Sequence, residues 1–507
     1  MDDWFDGYPS LRMVVDILQD NHIEAYLVGG AVRDLILKRS HIVDFDFAVP
    51  SDGLKVARRI ADELNAAFYP LDVERRTGRV VYERPEDSSS QKSYLDFATF
   101  RGADLQADLW DRDFSINAMA FGLTPPRQLI DPVQGQTDLK NGRIRAVGAN
   151  TFQNDPARIL RAIRQATDFG FVIEPQTEQW LRQAVAHLTT VSPERQRDEL
   201  LKLLNTHHPG TAISQLHYFD IILHLLPEVA ATTGVEQSPP HHLDVFRHTV
   251  AALTAWATLI RTDFSGVVAD KWQEQIKQYL SEPLTGDLAV QTVMPMALLL
   301  HDTGKPLTRA EQNNSSGQTK VTFIGHEKES ATIVRRVLGR LRFSSQAANF
   351  VETVVAHHMR PLLLATTANS LSRRAIYRLF RDTSERGFQA GLAVALHAIA
   401  DHQATYPPGQ GQPELERLLG ITDKLVEAYF EQHDQVVDPS ALLTGHDLIK
   451  IFELKEGRLV GVLLKRLKEV QAAGQITDRA GAIAFIKADP DFVAYREDMA
   501  HSYQGGN

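Results

Sequence analysis

The 507-residue sequence contains no cysteine. Neither a disulfide framework nor a thiolate metal site is open to it. Long apolar runs are missing as well: stretches such as MALLL before His301 are far too short to span a bilayer. The opening MDDWFDGYPS is acidic and shows neither the basic n-region nor the apolar h-region of a secretory signal. Together these absences lead us to expect a cytoplasmic protein with no membrane partner. An excess of positive charge is also lacking, since 54 Lys and Arg stand against 64 Asp and Glu, a net charge of −10. That argues against a basic coat but leaves room for a local positive stripe facing nucleic acid. No internal repeat organises the chain, and its length allows roughly three domains, each with its own core.

What the chain does have is concentrated in two places. The first is Leu27 to Val49, LVGGAVRDLILKRSHIVDFDFAV. A short apolar run from Ala25 to Val28 reads as a buried strand, Gly29 and Gly30 end it, and Val32 to Leu37 reads as a helix. Glycines between a strand and a helix let backbone N–H groups approach a phosphate, which the helix N-terminus also favours. Arg33 and Asp34 lie in the first turn, with Arg33 in reach of a phosphate oxygen. In the next apolar run, Asp44 and Asp46 alternate with Phe45, so a strand sets the two carboxylates side by side with Phe45 behind. Adjacent carboxylates repel unless a cation neutralises them, and hard oxygen ligands suit Mg²⁺, which takes its other ligands from water and substrate phosphates. The competing reading, a solvated loop with a chance Asp pair, weakens once GGAVRD precedes it.

GGAVRD followed by DFD resembles the head domain of the polymerase β superfamily, and more narrowly the class II tRNA nucleotidyltransferase and bacterial poly(A) polymerase family. The resemblance implies an α+β multidomain chain. A nucleotidyltransferase head of mixed sheet and helices (1–150) would be followed by a helical neck and body (151–240). An all-helical HD domain (241–405) and a linker with a C-terminal helical RNA-contact segment (406–507) would complete it. It implies addition of C and A residues to a tRNA 3′ end from CTP and ATP with Mg²⁺, releasing pyrophosphate. CC-only addition, A-only addition and poly(A) synthesis remain alternatives, as does an HD phosphohydrolase with a secondary head; dimerisation is left open.

Along the head, Gly53 to Leu64 has helical periodicity. Phe68–Val73 and Arg79–Glu83 read as strands around a turn at Thr77-Gly78, and RPEDSSSQKS (84–93) reads as a mobile loop. YLDFATF places Asp96 on an alternating strand position, either as a third catalytic acid or as a strand-end Asp bonding backbone. DLWDRDFSINAMAF resembles the family's RRDFTINA signature, which implies nucleotide contacts for Arg112, Asp113 and Asn117, with Asp111 replacing the first Arg. From Phe152, Asn154 or Asp155 reads as an N-cap and Pro156 as the first helical position. Arg158, Arg161 and Arg164 fall at spacing three, a basic ridge that is either a solvated face or a ligand-binding one. By resemblance Asp155 and Arg158 match the family's base-selecting pair, with Arg161 beside them among the nucleotide contacts. Asn154 stands where Glu is usual. Arg195 and Glu199 lie at i and i+4, in pairing range.

The second concentration is among the 19 histidines. His248, His301-Asp302, His326, His357-His358 and Asp401 follow the order of the HD metal-dependent phosphohydrolase fold. Imidazole and carboxylate ligands from separate helices can hold one or two divalent transition metals; buried core histidines are the bland reading of each position alone. By resemblance His248, His301, Asp302 and Asp401 hold the first metal (of the Mn, Ni, Co or Fe class). His326 with His357 or His358 completes a second site, and Lys305 contacts phosphate. Beyond the linker YPPGQGQPE, Gly445 and the Gly457–Gly461 turn resemble a helix-hairpin-helix, with Lys450, Arg458, Lys465, Arg466 and Lys468 adding basic character. A plain helical packing module is the other reading.

Overall fold

The computed structural model describes residues 8–39, 42–83, 92–125, 127–286, 288–313, 319–367, 371–385 and 388–504. Most of the loop expected at 84–93 lies outside the described residues. The chain divides into two compact units, Met1–Arg195 with Phe219–His224, and Gln196–Tyr218 with Leu225–Asn507.

The first unit runs α1 (Pro9–Asp20), β1 (Tyr26–Val28), α2 (Gly30–Ile36), β2 (Asp44–Val49), α3 (Gly53–Leu64), β3 (Ala67–Asp72), β4 (Thr77–Glu83), β5 (Lys92–Thr99), α4 (Leu105–Trp110), β6 (Ala120–Gly122), β7 (Leu129–Ile130), α5 (Gly135–Lys140), α6 (Thr151–Asn154) and α7 (Arg158–Phe169). Strands β1 to β7 form one mixed sheet in the order β3-β4-β5-β2-β1-β6-β7, with β2 and β5 parallel and the other neighbours antiparallel; Arg143–Ile144 and Val172–Ile173 form a separate parallel pair. The β2–β5 register opposes Asp46 to Asp96 and Phe47 to Phe97. The two phenyl rings stack at 4.5 Å, a pairing that adds about 1 kcal/mol to their burial. α3 is bounded by local chemistry at both ends: the Asp52 carboxylate accepts from Leu54 N and Lys55 N, and Asn65 turns left-handed behind it. Its apolar stripe of Val56, Ala57, Ile60, Ala61 and Leu64 is buried.

Three local expectations shift. The turn between β3 and β4 falls at residues 73–76, and Thr77-Gly78 already belongs to β4. α7 begins at Arg158 rather than Pro156: Asp155 is extended, ends α6, and receives Ala157 N on its side chain. Arg195 and Glu199 do not pair with each other, for Arg195 takes Asp155 and Glu199 takes Lys202.

The second unit is helical with short two-stranded hairpins, Pro283–Thr285 with Leu288–Ala289, Ala310–Asn313 with Thr319–Thr322, and Ser384–Glu385 with Phe388–Gln389. All-helical is therefore too strict for the expected HD segment. The helices Val245–Arg261, Val290–Leu300, His326–Arg340, Ser345–His357 and Gly391–Thr405 carry the histidine-rich centre described below. Toward the C-terminus, Leu443, Leu448, Phe452, Val460, Leu463, Leu467 and Ile486 share a separate apolar cluster. There Gly445 is the first residue of a helix whose capping box is Thr444 with Asp447, and the helix Arg458–Ala472 already contains Gly461. The expected Gly457–Gly461 turn is thus a helix start. Two of its basic residues are paired, Arg466 with Asp489 and Asp491, and Lys468 with Asp438.

Candidate functional sites: an acid-lined cleft and a histidine-rich centre

In the first unit, β1 delivers the chain to Gly29, which adopts φ +74°, a conformation that favours glycine strongly. A Cβ there would stand 2.9 Å from Arg112 Nη1 and 3.3 Å from Asp46 Oδ2. The missing side chain is what lets the turn, the acid and the guanidinium converge. Asp44 and Asp46 are both exposed on one face of β2, while Phe45 between them is buried. Asp46 is open to solvent yet set deep among protein atoms, as on a cleft floor. That crowding raises its pKa, Arg112 opposes the rise, and the Asp96 and Asp44 charges add to it. The unfavourable charge is the condition a divalent cation would relieve, so the acid pair fits Mg²⁺.

Other expected site residues are tied up by one another. Asp96 sits beside Asp46 as expected, but Arg79 Nε and Nη2 donate to its two oxygens at 2.8 and 2.7 Å. Arg33 donates to both Asp34 oxygens at 2.9 Å and to Asn117 Oδ1 at 2.6 Å, and its guanidinium lies 4.6 Å from the Phe169 ring centroid. Arg33 thus braces Asp34 against Asn117 in this structure. Asn117 also donates to Asp113 and Gln165. Asp113 further accepts from Phe114 N, and Arg161 Nη2 lies 3.1 Å from its other oxygen. Burial pushes the Asp113 carboxyl up, but Arg161, Asn117, the Phe114 N–H and Arg158 hold it below the ordinary value. Arg112 is paired with Asp108 at 2.9 Å.

The expected arginine ridge on α7 is not an open basic face. Arg158 is buried and donates to the Asp111 carbonyl at 2.7 Å, with longer bonds to the carbonyls of Arg112 and Thr151. Arg161 faces Asp113, and Arg164 lies 3.6 Å from Asp168. Asp155 is half-buried and paired with Arg195 at 2.7 Å. Burial raises its carboxyl, yet the Arg195 and backbone bonds bring it below its usual value. Arg79, Asp108 and Gln165 were not expected from sequence; only Asp108 carries a signal, standing four residues before Arg112 on one helical turn.

In the second unit, His248 lies in the first turn of Val245–Arg261, where Asp244 caps Arg247 N. His301 and Asp302 follow the buried apolar helix Val290–Leu300. Gly304 allows the next close approach, since a Cβ there would meet His326 O at 2.5 Å and Ser330 N at 2.7 Å. His326 starts its helix, His358 closes Ser345–His357, and Asp401 lies on Gly391–Thr405.

Donor atoms of His248, His301 and Asp302 form one tight group, and those of Asp302, His326 and His358 another. Asp302 belongs to both. Asp401 Oδ1 joins the first, 2.9 Å from His248 Nε2 and 3.7 Å from His301 Nε2. His301, His326 and His358 each turn Nδ1 to a carbonyl three residues earlier, at 2.7–2.8 Å. That fixes the tautomer and leaves Nε2 facing inward, the arrangement metal-ligating imidazoles adopt. His301 Nε2 and both Asp302 oxygens are buried without an aligned hydrogen bond. Burial, with His301 and His326, drives the His358 pKa down to about 3, so its imidazole is neutral at physiological pH. Burial opposes ionisation of Asp302 and Asp401, but His301 and Lys305 around the first and His248 and His301 around the second hold them well below the carboxylate range. These residues fit one or two divalent cations.

Of the two adjacent histidines, His358 belongs to the cluster; His357 is half-buried and lies outside both tight groups. Lys305 is buried, with Nζ 2.7 Å from Asp302 Oδ2 and 2.6 Å from Gln237 Oε1. His241, not expected from sequence, stacks edge-on to His248 at 5.2 Å; burial and the Lys305 charge lower it to about 4. His397, also unexpected, is fully buried beside His301 and His358.

A glycine turn packed on a strand-borne acid pair, in a chain that also carries a histidine–aspartate centre, defines a nucleotidyltransferase head joined to an HD-type metal domain. Residues 25–145 match the family described as Poly A polymerase head domain. Residues 170–232 match the probable RNA and SrmB-binding site of polymerase A, and 291–427 the HD domain. The chain is 31% identical over 468 residues to an A-adding tRNA nucleotidyltransferase of Deinococcus radiodurans, covering 91% of this chain and 95% of that one. It is 26% identical to a CC-adding tRNA nucleotidyltransferase of Synechocystis, covering 91% and 92%. A solved CCA-adding enzyme in complex with ATP shares the fold at TM-score 0.60 and 21% identity, covering 94% of each chain. The chain belongs to the tRNA nucleotidyltransferase and bacterial poly(A) polymerase family, and it is a nucleotidyltransferase of that CCA-adding group. Among the described residues no helix is long and apolar enough to cross a membrane.

Proposed function

We propose that the head adds C and A residues to the 3′ end of tRNA, taking CTP and ATP in turn. The observation that carries this reading is the meeting of Gly29, Asp46 and Arg112 at one point beside Asp44. Asp44 and Asp46 would hold Mg²⁺, which would lower the pKa of the 3′-hydroxyl and neutralise charge on the leaving pyrophosphate. The Gly29 turn brings backbone to the triphosphate, and Arg112, anchored by Asp108, presents a guanidinium beside it. Arg33, Asp34, Asn117, Asp113 and Arg161 form the rigid wall of that cleft. Asp155 and Arg158 would select the base, a carboxylate accepting from an exocyclic amine and a guanidinium donating to ring nitrogen and carbonyl, which requires Arg158 to leave the carbonyls of Asp111, Arg112 and Thr151. Arg195 holds Asp155 ready in the meantime.

Similarity to a multifunctional CCA protein of Halorhodospira halophila, 31% identical over 346 residues, supports one head performing both additions. A-only addition is the second reading, favoured by the higher identity to the A-adding relative than to the CC-adding one. Labelled CTP and ATP, alone and together, on tRNA ending at the discriminator base, at C and at CC separate the two. Completion of CCA from all three ends supports the first. Use of ATP on the CC end alone establishes the second, and no incorporation on any end rejects both.

The second unit, we infer, holds a pair of transition-metal ions of the Mn, Ni, Co or Fe class and hydrolyses phosphate esters at RNA ends. The shared Asp302 and the inward Nε2 atoms support it. Lys305 is placed to balance phosphate charge there.

A further inference from the structure

We propose that His397 is a ligand of the metal ion held by His326 and His358, completing a donor set that is otherwise one group short. The inference rests on reading that cluster as a metal centre. His397 lies on the helix Gly391–Thr405, four residues before Asp401 and so one turn along the same face. It is fully buried, and neither of its ring nitrogens has a hydrogen-bond partner. A neutral imidazole carries both an N–H donor and a lone pair, and burying both unused is costly. His301, His326 and His358 avoid that cost by bonding a backbone carbonyl through Nδ1. His397 makes no such bond.

An interior filler in the helix segment GLAVALHAIA would be served better by another apolar side chain. The imidazole instead lies among other imidazoles, with ring centroids 5.1 Å from His301 and 5.6 Å from His358. The ligand arithmetic says which ion it serves. His248, His301, Asp302 and Asp401 give the first ion four protein ligands. Asp302, His326 and His358 give the second only three. His397 stands outside that tight group, so ligation requires its ring to turn toward His358. A three-imidazole, one-carboxylate set favours a borderline transition metal over Mg²⁺.

The test uses the full-length protein, stripped with a chelator and reloaded with Co²⁺. Anomalous scattering from Co²⁺-loaded wild-type crystals is expected to place an ion about 2.0–2.2 Å from a His397 nitrogen, as well as from His326 and His358. Metal analysis is expected to find about two ions per chain in wild type and about one in His397→Gln, with the second site weakened ~100-fold or more. His402→Asn is the control, a buried histidine on the same helix whose ring packs on Tyr406; it should bind like wild type. An ion on His326 and His358 without His397, or wild-type stoichiometry and affinity in His397→Gln, overturns the proposal while leaving the metal centre intact. Wild type binding no ion at all overturns the centre itself. Should the variants fold poorly, the wild-type map alone decides.

Discussion

Asp96 offers the sharpest test of how many acids run the head. The parallel register of β2 and β5 sets it beside Asp46, where a third metal-binding acid would stand. Yet both of its oxygens face Arg79, and that bond is the largest cause of the raised Arg79 pKa. Our reasoning is that Asp96 restrains Arg79, whose charge would otherwise swing onto Asp44 and Asp46, two acids that already act on it. A two-pronged charge-assisted bond is worth about 2–3 kcal/mol when well buried. The side chains here are 34% and 19% exposed, which screens the bond to about 1–2 kcal/mol. Asp96→Asn is therefore expected to slow single-turnover CTP incorporation by roughly 5–30-fold. Asp46→Asn, which removes a metal ligand, should cost about 10³-fold or more. The decisive arm is the pair Asp96→Asn with Arg79→Met: removing the freed cation should restore most of the lost rate. If Asp96→Asn is as damaging as Asp46→Asn and Arg79→Met rescues nothing, Asp96 is a metal ligand and our account of Arg79 is wrong.

Three further outcomes follow from other contacts. Gly29→Ala places a side chain at φ +74° and ψ −138°, a strain of about 1–3 kcal/mol. With Arg112 displaced as well, melting temperature should drop and incorporation fall ~100-fold; retention of both would remove the role given to the turn. Asp113→Asn should destabilise the full chain by about 2 kcal/mol at pH 7. Because the native Asp113 pKa is depressed, wild type holds that advantage above the unfolded value of about 3.9 and loses it as pH falls through the native one. Denaturation from pH 7 to 3 should show the gap between the two curves narrowing below about pH 4; a gap undiminished at pH 3 speaks against the pairing. For the second unit, stripping with a chelator or the His301→Ala change should abolish hydrolysis of a phosphodiester such as bis-p-nitrophenyl phosphate, with Mn²⁺, Ni²⁺ or Co²⁺ restoring the stripped wild type only. CTP incorporation by His301→Ala should be unchanged, and hydrolysis that survives both treatments would mean another site.

Much of the head was legible because its signals are local. α3 ends where Asp52 and Asn65 say it should, and the Asp-x-Asp alternation survives because a strand has period two whatever surrounds it. Long-range ion pairs were not legible. Nothing near Arg33 in sequence says that Asn117, 84 residues on, will accept its N–H. Likewise Arg195 finds Asp155 across 40 residues rather than Glu199 one turn away. Arg158 to Arg164 read as a ridge since spacing reports a shared face, not whether that face meets solvent. In the histidine centre, the order of residues marked the cluster, but choosing between His357 and His358 needed the end of a helix. His397 was hidden by its apolar neighbours; its only signal was the four-residue step to Asp401.

The three stretches that looked like separate motifs are one object in the fold. Arg33 follows the glycine turn, Asn117 and Asp113 come from the segment after α4, and Arg161 comes from α7, yet they form a continuous chain of hydrogen bonds and charge. Substitutions along it should not act independently, because groups sharing one network couple. The same view explains a departure from the family signature. At position 111, where that signature has arginine, this chain has Asp111, a charge reversal one residue before Arg112. What the fold takes from position 111 is its backbone carbonyl, which receives Arg158 at 2.7 Å. The Asp111 side chain is half-exposed and points toward Arg101, 3.6 Å away. Any residue with a carbonyl in that place would hold Arg158, so the side chain is free to vary, and Arg101 offsets the charge the variation introduced.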